Sequence, residues 1–500
     1  MTSKQHENST ISAAPVFLQL APFAIPALLQ PLTDALIAAG GRPVVVGGAV
    51  RDHFLGLENK DIDLEVFSLS LDDVEAICAR IGKVHSVGRS FGVLKVTVVN
   101  DDDEDTFDVA LPRLENKVGR GHRGFVVESK PDMSFAEAAL RRDFTINAIG
   151  WDVKKDELLD PHDGKVDLAA RRLRHVSDAF DEDPLRVLRA CQFAARFSMQ
   201  LTSETLKKCR SIEPELASLP KERLWEEWKK LLLRSERPSV GLEVMRSTLA
   251  LHLFPELEAL IGCEQDELWH PEGDVWVHTL LVTDEAARIC RDENVQDDDE
   301  RMLILLGALC HDLGKPHTTK FIDGHIRSRG HESEGEAPTR SFLTRIGASL
   351  DVIEQVVPLV KEHLKPYMLY AERKKISDGA LRRLSLRVPI PRLLLVSHAD
   401  FCGRTTPKAL TRVDPARIWL LEEATRLQVQ KNAPKAILQG RHLIALGVKP
   451  GKAMGDVLKE AFDAQLDGDF VDEQEGLAWL KGKLVAKSSH SGAERPKDAS

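Results

Sequence analysis

The stretch Val44–Phe67, VVVGGAVRDHFLGLENKDIDLEVF, admits few folds. Its valines read as a buried strand, Gly47 and Gly48 as a tight turn, and the residues from Ala49 on as a helix start. After Asn59 acidic and apolar residues alternate. Side chains of an extended strand point to opposite faces with a period of two, so Asp61, Asp63 and Glu65 share one face while Ile62, Leu64 and Val66 share the other. Two or three carboxylates held that close repel one another, at a cost in free energy unless a cation neutralises them.

Oxygen ligands suit Mg²⁺, and a pair of such ions about 3.5–4 Å apart serves in-line phosphoryl displacement. Upstream, Gly47 and Gly48 let backbone N–H groups approach a triphosphate, the helix adds its positive N-terminus, and Arg51 supplies a guanidinium for phosphate oxygens. A lone Gly-Gly turn or a lone Asp-x-Asp reads as a plain turn or a solvated strand face. The two together, in this order, point to a site for nucleotides and metal.

This segment resembles motif A of the class II nucleotidyltransferases, the family of CCA-adding tRNA nucleotidyltransferases and bacterial poly(A) polymerases. Further matches follow in the family's order. RRDFTINA at 141–148 is similar to its ribose-reading motif, DPHDG at 160–164 to its connecting motif, and EDPLRVLR at 182–189 to its base-selecting motif. The resemblance covers most of the chain. It implies an α+β fold: a small N-terminal nucleotidyltransferase head with a mixed β-sheet, then an elongated all-α neck, body with HD domain, and tail.

The residue roles follow from the same resemblance. Asp61 and Asp63 are expected to hold Mg²⁺, with Asp108 on the strand TFDVALP as a third acid. Arg141, Arg142, Asp143 and Asn147 are expected to contact ribose and phosphate, with Phe144 and Ile146 in the core. Asp183 and Arg186 lie three apart in a pattern of helical spacing, which brings their side chains together. Cytosine and adenine both present an exocyclic amine beside an unprotonated ring nitrogen; a carboxylate accepts from the first and a guanidinium donates to the second. One such pair reads both bases, and Arg189 supports it. Taken without the motif order, Asp183 and Arg186 would read as a surface ion pair of little energetic value.

A second constellation follows the apolar helix MLILLGALC at 302–310, which runs into HDLGK. His278, His311, Asp312 and Asp400 resemble the ligand set of the HD phosphohydrolase superfamily, and some bacterial CCA-adding enzymes carry such a domain. Imidazole and carboxylate suit a divalent transition metal or Mg²⁺ able to make water nucleophilic near neutral pH. His331 and His363 are candidates for a second metal or for phosphate, and Lys315 for substrate phosphate. Each isolated histidine is more often an ordinary core or surface residue.

Five hundred residues call for about three or more domains. Motif placement gives a lead-in at 1–25, the head at 26–160, a neck at 161–240, a body with HD domain at 241–405, a tRNA-contacting tail at 406–486 and a disordered end at 487–500. Seven cysteines without Cys-x-x-Cys pairs suggest reduced thiols. The apolar run after Val16 is broken by Pro22, Pro26, Pro31 and Asp34, which excludes a signal peptide or membrane span there and makes the cytoplasm the default.

A net charge of −10 argues against a nucleic-acid partner taken alone. Basic clusters at 113–123, 141–142, 171–175 and 372–387 nonetheless offer a track for tRNA. The resemblance implies tRNA, CTP and ATP as partners and no membrane. It implies CCA addition, with poly(A) synthesis or restricted CC or A addition as alternatives. A phosphodiesterase or phosphatase with a binding-only head is the reading of another class, and a pure RNA-binding protein a third.

Overall fold

The computed structural model describes residues 23–491, apart from 60, 86–91, 101–102, 118–124 and 431. Of the expected lead-in at 1–25 and disordered end at 487–500, residues 1–22 and 492–500 lie outside the described residues. The chain divides into two compact units. One runs to Leu231 and takes in Val240–Leu253; the other comprises Leu232–Ser239 and the chain from Phe254 on.

In the first unit, helix α1 (Gln30–Ala38) precedes strand β1 (Arg42–Val46), helix α2 (Gly48–Leu55) and strand β2 (Asp63–Phe67). Helix α3 (Leu71–Ile81) leads through β3 (Lys83–His85) and β4 (Val93–Val99) to β5 (Glu104–Ala110). A separate antiparallel hairpin of β6 (Arg113–Lys117) and β7 (Phe125–Ser129) follows. Its tip, 118–124, lies outside the described residues. Helix α4 (Phe135–Ala139), β8 (Gly150–Asp152), β9 (Glu157–Leu159), helix α5 (Gly164–Ala169) and helix α6 (Leu185–Phe197) follow.

Seven strands form one sheet in the order β3-β4-β5-β2-β1-β8-β9. Only β2 and β5 run parallel; the other pairs are antiparallel, as the expected mixed sheet requires. Burying Val44, Val46 and Phe67 against Phe135, Ala138, Ala139 and Ala148 covers one part of the sheet. At about 1.5–3 kcal/mol for each large apolar side chain, such burial fixes the register: a one-residue slip in β2 would turn Leu64 and Val66 outward. The lead-in is less idle than expected, since Phe23 is buried and packs edge-on against His53 at 5.4 Å.

Among its described residues the second unit is helical save for one short hairpin, Lys320–Ile322 with His325–Arg327. Its apolar helix Asp298–Cys310 is buried from Met302 to Cys310, and Asp297 caps its first turn. Toward the C-terminus, Met454, Val457, Ala461 and Phe470 form a small core with Leu443 and Leu480. Phe462 is half-buried, and the helix Glu473–Ser491 runs past the point where the tail was expected to end. No helix among the described residues is long and apolar enough to cross a membrane.

Candidate active site and metal centre

At the end of β1 the chain turns through Gly47, whose φ of 70° belongs to the region that favours glycine. A Cβ there would come within 3.2 Å of Arg142 Nη1, so the residue also admits a guanidinium beside the turn. Gly48 then opens α2. Across the sheet, Asp63 begins β2 directly in register with Asp108 of β5. Asp61 lies exposed just before the strand, its backbone N–H donating to Asn59 Oδ1 at 2.9 Å.

Burial, then the neighbouring Asp108 and Asp61, push the Asp63 carboxyl above its ordinary range, against the opposing pull of Arg142 and Lys95. Lys95 Nζ stands 3.1 Å from Asp108 Oδ1. The cluster therefore holds more negative charge than its cations compensate at Asp63, which is what a divalent cation would relieve. Glu65 shares this face but not this role. It lies two residues deeper, buried, with Arg141 Nη2 at 2.8 Å from Oε1 and Arg142 Nη2 at 3.1 Å from Oε2. Burial would raise its carboxyl, but Arg142 and Arg141 outweigh that and hold it below the usual range.

The other head residues are brought together in a largely buried network. Arg51 donates from Nη1 to Asn147 Oδ1 at 2.6 Å and from Nε to Asp52 Oδ1 at 2.7 Å, with Phe197 4.6 Å and Phe193 5.3 Å from its guanidinium carbon. Asn147 Nδ2 donates to Asp143 Oδ1 at 2.9 Å, and Arg189 Nε to Asp143 Oδ2 at 2.7 Å. Arg51, Asp143 and Asn147, read from sequence as open contacts to nucleotide, are thus each less than a tenth exposed. The reason is that Phe193 and Phe197 on α6 pack onto the Arg51 plane and carry the network inward.

Burial lowers the pKa of the Arg186 guanidinium, against the pull of Asp143 and then of Asp183, and Asp183 and Arg186 each have further partners as well. Arg223, on the helix Lys221–Leu233, forks onto Asp183 at 3.1 and 2.7 Å, and Asp183 Oδ1 accepts the Leu185 N–H at 3.1 Å. Arg186 Nη2 donates to the Arg141 carbonyl at 2.6 Å, and Nη1 to that of Ala179. Sequence reasoning missed Arg223. Its signal was a charged pair, Arg223 and Glu227, one turn apart within the stripe Leu224, Trp228 and Leu231; Glu227 is in fact buried.

In the second unit six residues converge. His278 Nε2 lies 3.2 Å from Asp400 Oδ1 and 3.3 Å from His311 Nε2. Asp312 presents Oδ2 to His311 Nε2 at 3.0 Å and Oδ1 to His331 Nε2 at 3.2 Å, and His331 Nε2 is 3.3 Å from His363 Nε2. In every ring Nδ1 faces an acceptor: Glu272 Oε1 for His278, and the carbonyls of Ala308, Ser328 and Val360 for His311, His331 and His363, at 2.6–2.9 Å. That places the proton on Nδ1 and leaves a lone pair on each Nε2. Facing lone pairs at 3.3 Å repel unless a cation lies between them, so the donor set fits metal. Two three-residue groups share Asp312: His278 and His311 on one side, His331 and His363 on the other.

Gly314 makes this possible. A Cβ there would fall 2.1 Å from the His331 carbonyl oxygen, so only glycine lets the turn after Asp312 lie against the segment that delivers His331. Lys315 Nζ, buried, reaches Asp312 Oδ2 at 2.7 Å, and Arg404 Nη2 reaches Asp400 Oδ2 at 2.7 Å. Glu272 and His270, 2.9 Å apart, carried no periodic signal in the sequence.

Against this geometry, three family models match: the Poly A polymerase head domain over residues 44–174, the probable RNA and SrmB-binding site of polymerase A over 198–261, and the HD domain over 275–404. The Multifunctional CCA protein of Xylella fastidiosa (strain 9a5c) is 37% identical over 373 residues, covering 72% of this chain and 83% of that protein. The chain belongs to the multifunctional CCA protein family.

The family's counterpart from Actinobacillus pleuropneumoniae serotype 5b (strain L20) is 39% identical over 325 residues, 64% of this chain and 74% of that protein. Among solved structures, the Bacillus stearothermophilus CCA-adding enzyme in complex with CTP aligns with a TM-score of 0.61 at 20% identity, covering 93% of this chain and all of that one. The Thermotoga maritima CCA-adding enzyme complexed with tRNA_CCA gives 0.56 at 22%, over 92% and 97%. These two establish the fold. Membership, with head and HD domains both present, makes this a nucleotidyltransferase dependent on divalent metal.

Several residues of the basic clusters have intramolecular partners while staying partly exposed, Arg174 at 45% and Arg387 at 48% of their side chains. Arg171 donates to the Phe197 carbonyl, and Arg172 and Arg174 both pair with Asp167. Arg383 pairs with Asp467 and Arg387 with Glu362.

Proposed function

We propose that the chain is a tRNA nucleotidyltransferase that adds C, C and A to the tRNA 3′ end from CTP and ATP. The observation that carries this reading is the in-register pair Asp63 and Asp108, with Asp61 beside it and the Gly47 turn on the next strand. Asp61 and Asp63, aided by Asp108, hold Mg²⁺. When bound, the metal supplies charge stabilisation at the α-phosphate and the leaving pyrophosphate and lowers the pKa of the attacking hydroxyl.

The chain's own residues do the rest. The backbone at Gly47 and Gly48, with Arg142 beside it, cradles the triphosphate. Arg141 and Arg142, fixed by Glu65, face the nucleotide, while Arg51, Asp143, Asn147 and Arg189 hold that motif in place from within. Asp183, oriented by Arg223 and by the Leu185 N–H, supplies a carboxylate. Arg186 has five N–H donors and spends two on carbonyls. Together they accept from the amine and donate to the ring nitrogen of C or A. Uracil and guanine invert that pattern and would leave polar groups unpaired, at about 1–3 kcal/mol each.

The domain assignment follows: head at 26–160, neck at 161–240, body with HD domain at 241–405, and a tail at 406–486 that meets tRNA. Seven unpaired thiols, six of them buried, suit the cytoplasm. The HD centre is a metal-dependent phosphohydrolase using a divalent transition metal. Here the imidazole-rich donor set supports that choice.

Full-length protein incubated with tRNA lacking its terminus tests the reading. CTP alone should add two residues, CTP with ATP three, and unstructured RNA little. Long adenosine tails on unstructured RNA would instead identify a poly(A) polymerase, and no incorporation at all would reject nucleotidyl transfer.

A further inference from the structure

The two ladders that fix the acids of the head sheet both end at Asp63. There β2 makes its terminal pairs, with Val46 of β1 on one side and Asp108 of β5 on the other, and β1 turns away through Gly47. Asp61, two residues earlier and exposed, precedes the strand and takes no orientation from these ladders. Its charge nonetheless acts on the Asp63 carboxyl, so the two acids stand close. Something other than the sheet holds Asp61 in place.

The link is an amide side chain. The Asp61 N–H donates to Asn59 Oδ1 at 2.9 Å, and Asn59 Nδ2 donates to Asp52 Oδ2 at 2.8 Å. Alone, the first bond would be an ordinary local turn. The second ties that turn to a carboxylate fixed in the interior: Asp52 is 1% exposed, and its Oδ1 accepts from Arg51 Nε at 2.7 Å, at the root of the network through Asn147 and Asp143. The chain's path brings Asn59 there. Gly56, with φ 69°, closes α2 in the left-handed region, and the Leu57 N–H then donates to the Asp52 carbonyl at 2.9 Å. A Cβ on Gly48 would stand 3.4 Å from Asn59 Nδ2, so the amide also lies against the turn that opens α2.

A side chain that makes both bonds must carry an acceptor and a donor on one rigid plane, as an amide does. A carboxylate at this position would confront that of Asp52, and a serine hydroxyl would serve the Asp61 N–H but fall short of Asp52. We propose that Asn59 is a positioning residue of the nucleotidyl-transfer centre. It anchors the segment that carries Asp61 to the buried Asp52, and so sets how tightly the head holds its divalent cation, with no part in reading the base. Outer partners that orient a metal ligand act in this way. The inference rests on the reading of Asp61 and Asp63 as metal ligands.

The test compares full-length protein with Asn59→Ala, Asn59→Ser and Asp63→Asn. Binding of Mn²⁺ is followed by electron paramagnetic resonance, the share lost in Asp63→Asn being that of the head, and CTP incorporation into tRNA lacking its terminus is titrated with Mg²⁺. Asn59→Ala should weaken the head's Mn²⁺ binding and raise the half-saturating Mg²⁺ about tenfold, the scale of losing an outer partner of a ligand. In saturating Mg²⁺ its KM for CTP and its preference for CTP over UTP should stay close to the parent's. Asn59→Ser should follow Asn59→Ala, because it keeps the local turn and loses the bond to Asp52. Parent-like Mn²⁺ binding in Asn59→Ser would overturn the tie to Asp52 and with it the proposal, as would a raised KM for CTP with Mn²⁺ binding unchanged. Loss of Mn²⁺ in Asp63→Asn but not in Asn59→Ala removes this inference alone. No loss in Asp63→Asn removes the metal-ligand reading and the inference together.

Discussion

Asp63 and Asp108 stand opposite each other on the one parallel strand pair of the head sheet, so two carboxyl-bearing side chains leave the same face at the same level. A carboxyl whose folded pKa is raised destabilises the fold at pH values above its unfolded pKa, near 3.8 here. Asp63→Asn should therefore leave thermal stability in chelator unchanged or higher while lowering CTP incorporation about a thousandfold, the scale of several kcal/mol of metal-assisted stabilisation. Calorimetry in EDTA and a primer-extension assay check the two halves. Loss of stability together with activity would mean that the residue is structural.

The bond between Arg223 and Asp183 predicts a fidelity effect. Arg223→Ala removes a two-point, charge-assisted contact that orients Asp183, the carboxylate proposed to read the base. Discrimination of CTP over UTP should fall about tenfold, with KM for CTP rising more than kcat falls. A uniform drop in kcat for all nucleotides would point to general unfolding of the neck instead.

Local pattern made the catalytic strand, the Gly-Gly turn, α6 and the apolar helix before His311 legible, because each obeys a period of two or 3.6 residues. Tertiary partners were not legible. Glu65 obeys the alternation that places Asp63, yet two arginines 76 and 77 residues away decide that it is an anchor and not a metal ligand. The two phenylalanines from α6 that stack on Arg51 could not be read from its local sequence. His278, His311, Asp312 and Asp400, singled out by family order, lie together in one cluster, whereas Glu272 and His270 sit in a turn whose composition announces nothing.

Glu65 also gives a pH signature. Its folded pKa is lowered from about 4.5, so its contribution is fully present above that value and is lost as pH falls through the lower folded pKa. Glu65→Gln should cost about 3 kcal/mol near neutral pH, the usual result of removing one partner from a buried ion pair. The gap to the parent should narrow below pH 4.5. Urea unfolding of the head transition at a series of pH values checks this, and a gap independent of pH would assign the effect to packing alone.

The last prediction concerns how many metals the HD centre holds. Asp312 lies between two histidine pairs, with Oδ2 toward His311 and Oδ1 toward His331, so its two oxygens face different imidazole groups. Burial, then His331 and His311, push the His363 imidazole down to about 3, which keeps it neutral and able to donate a lone pair at physiological pH. Such a layout is expected to hold two ions, one on each side of Asp312. Full-length protein dialysed against Mn²⁺ or Co²⁺ should retain two ions at this centre, His363→Ala one, and Asp312→Ala none, as counted by elemental analysis against a parent stripped with EDTA. Because metal bound to the folded state stabilises it by about 2.7 kcal/mol at a hundredfold excess over Kd, the parent's second-unit transition should shift upward on loading and that of Asp312→Ala should not. One ion in both the parent and His363→Ala would leave His331 and His363 as phosphate contacts rather than ligands.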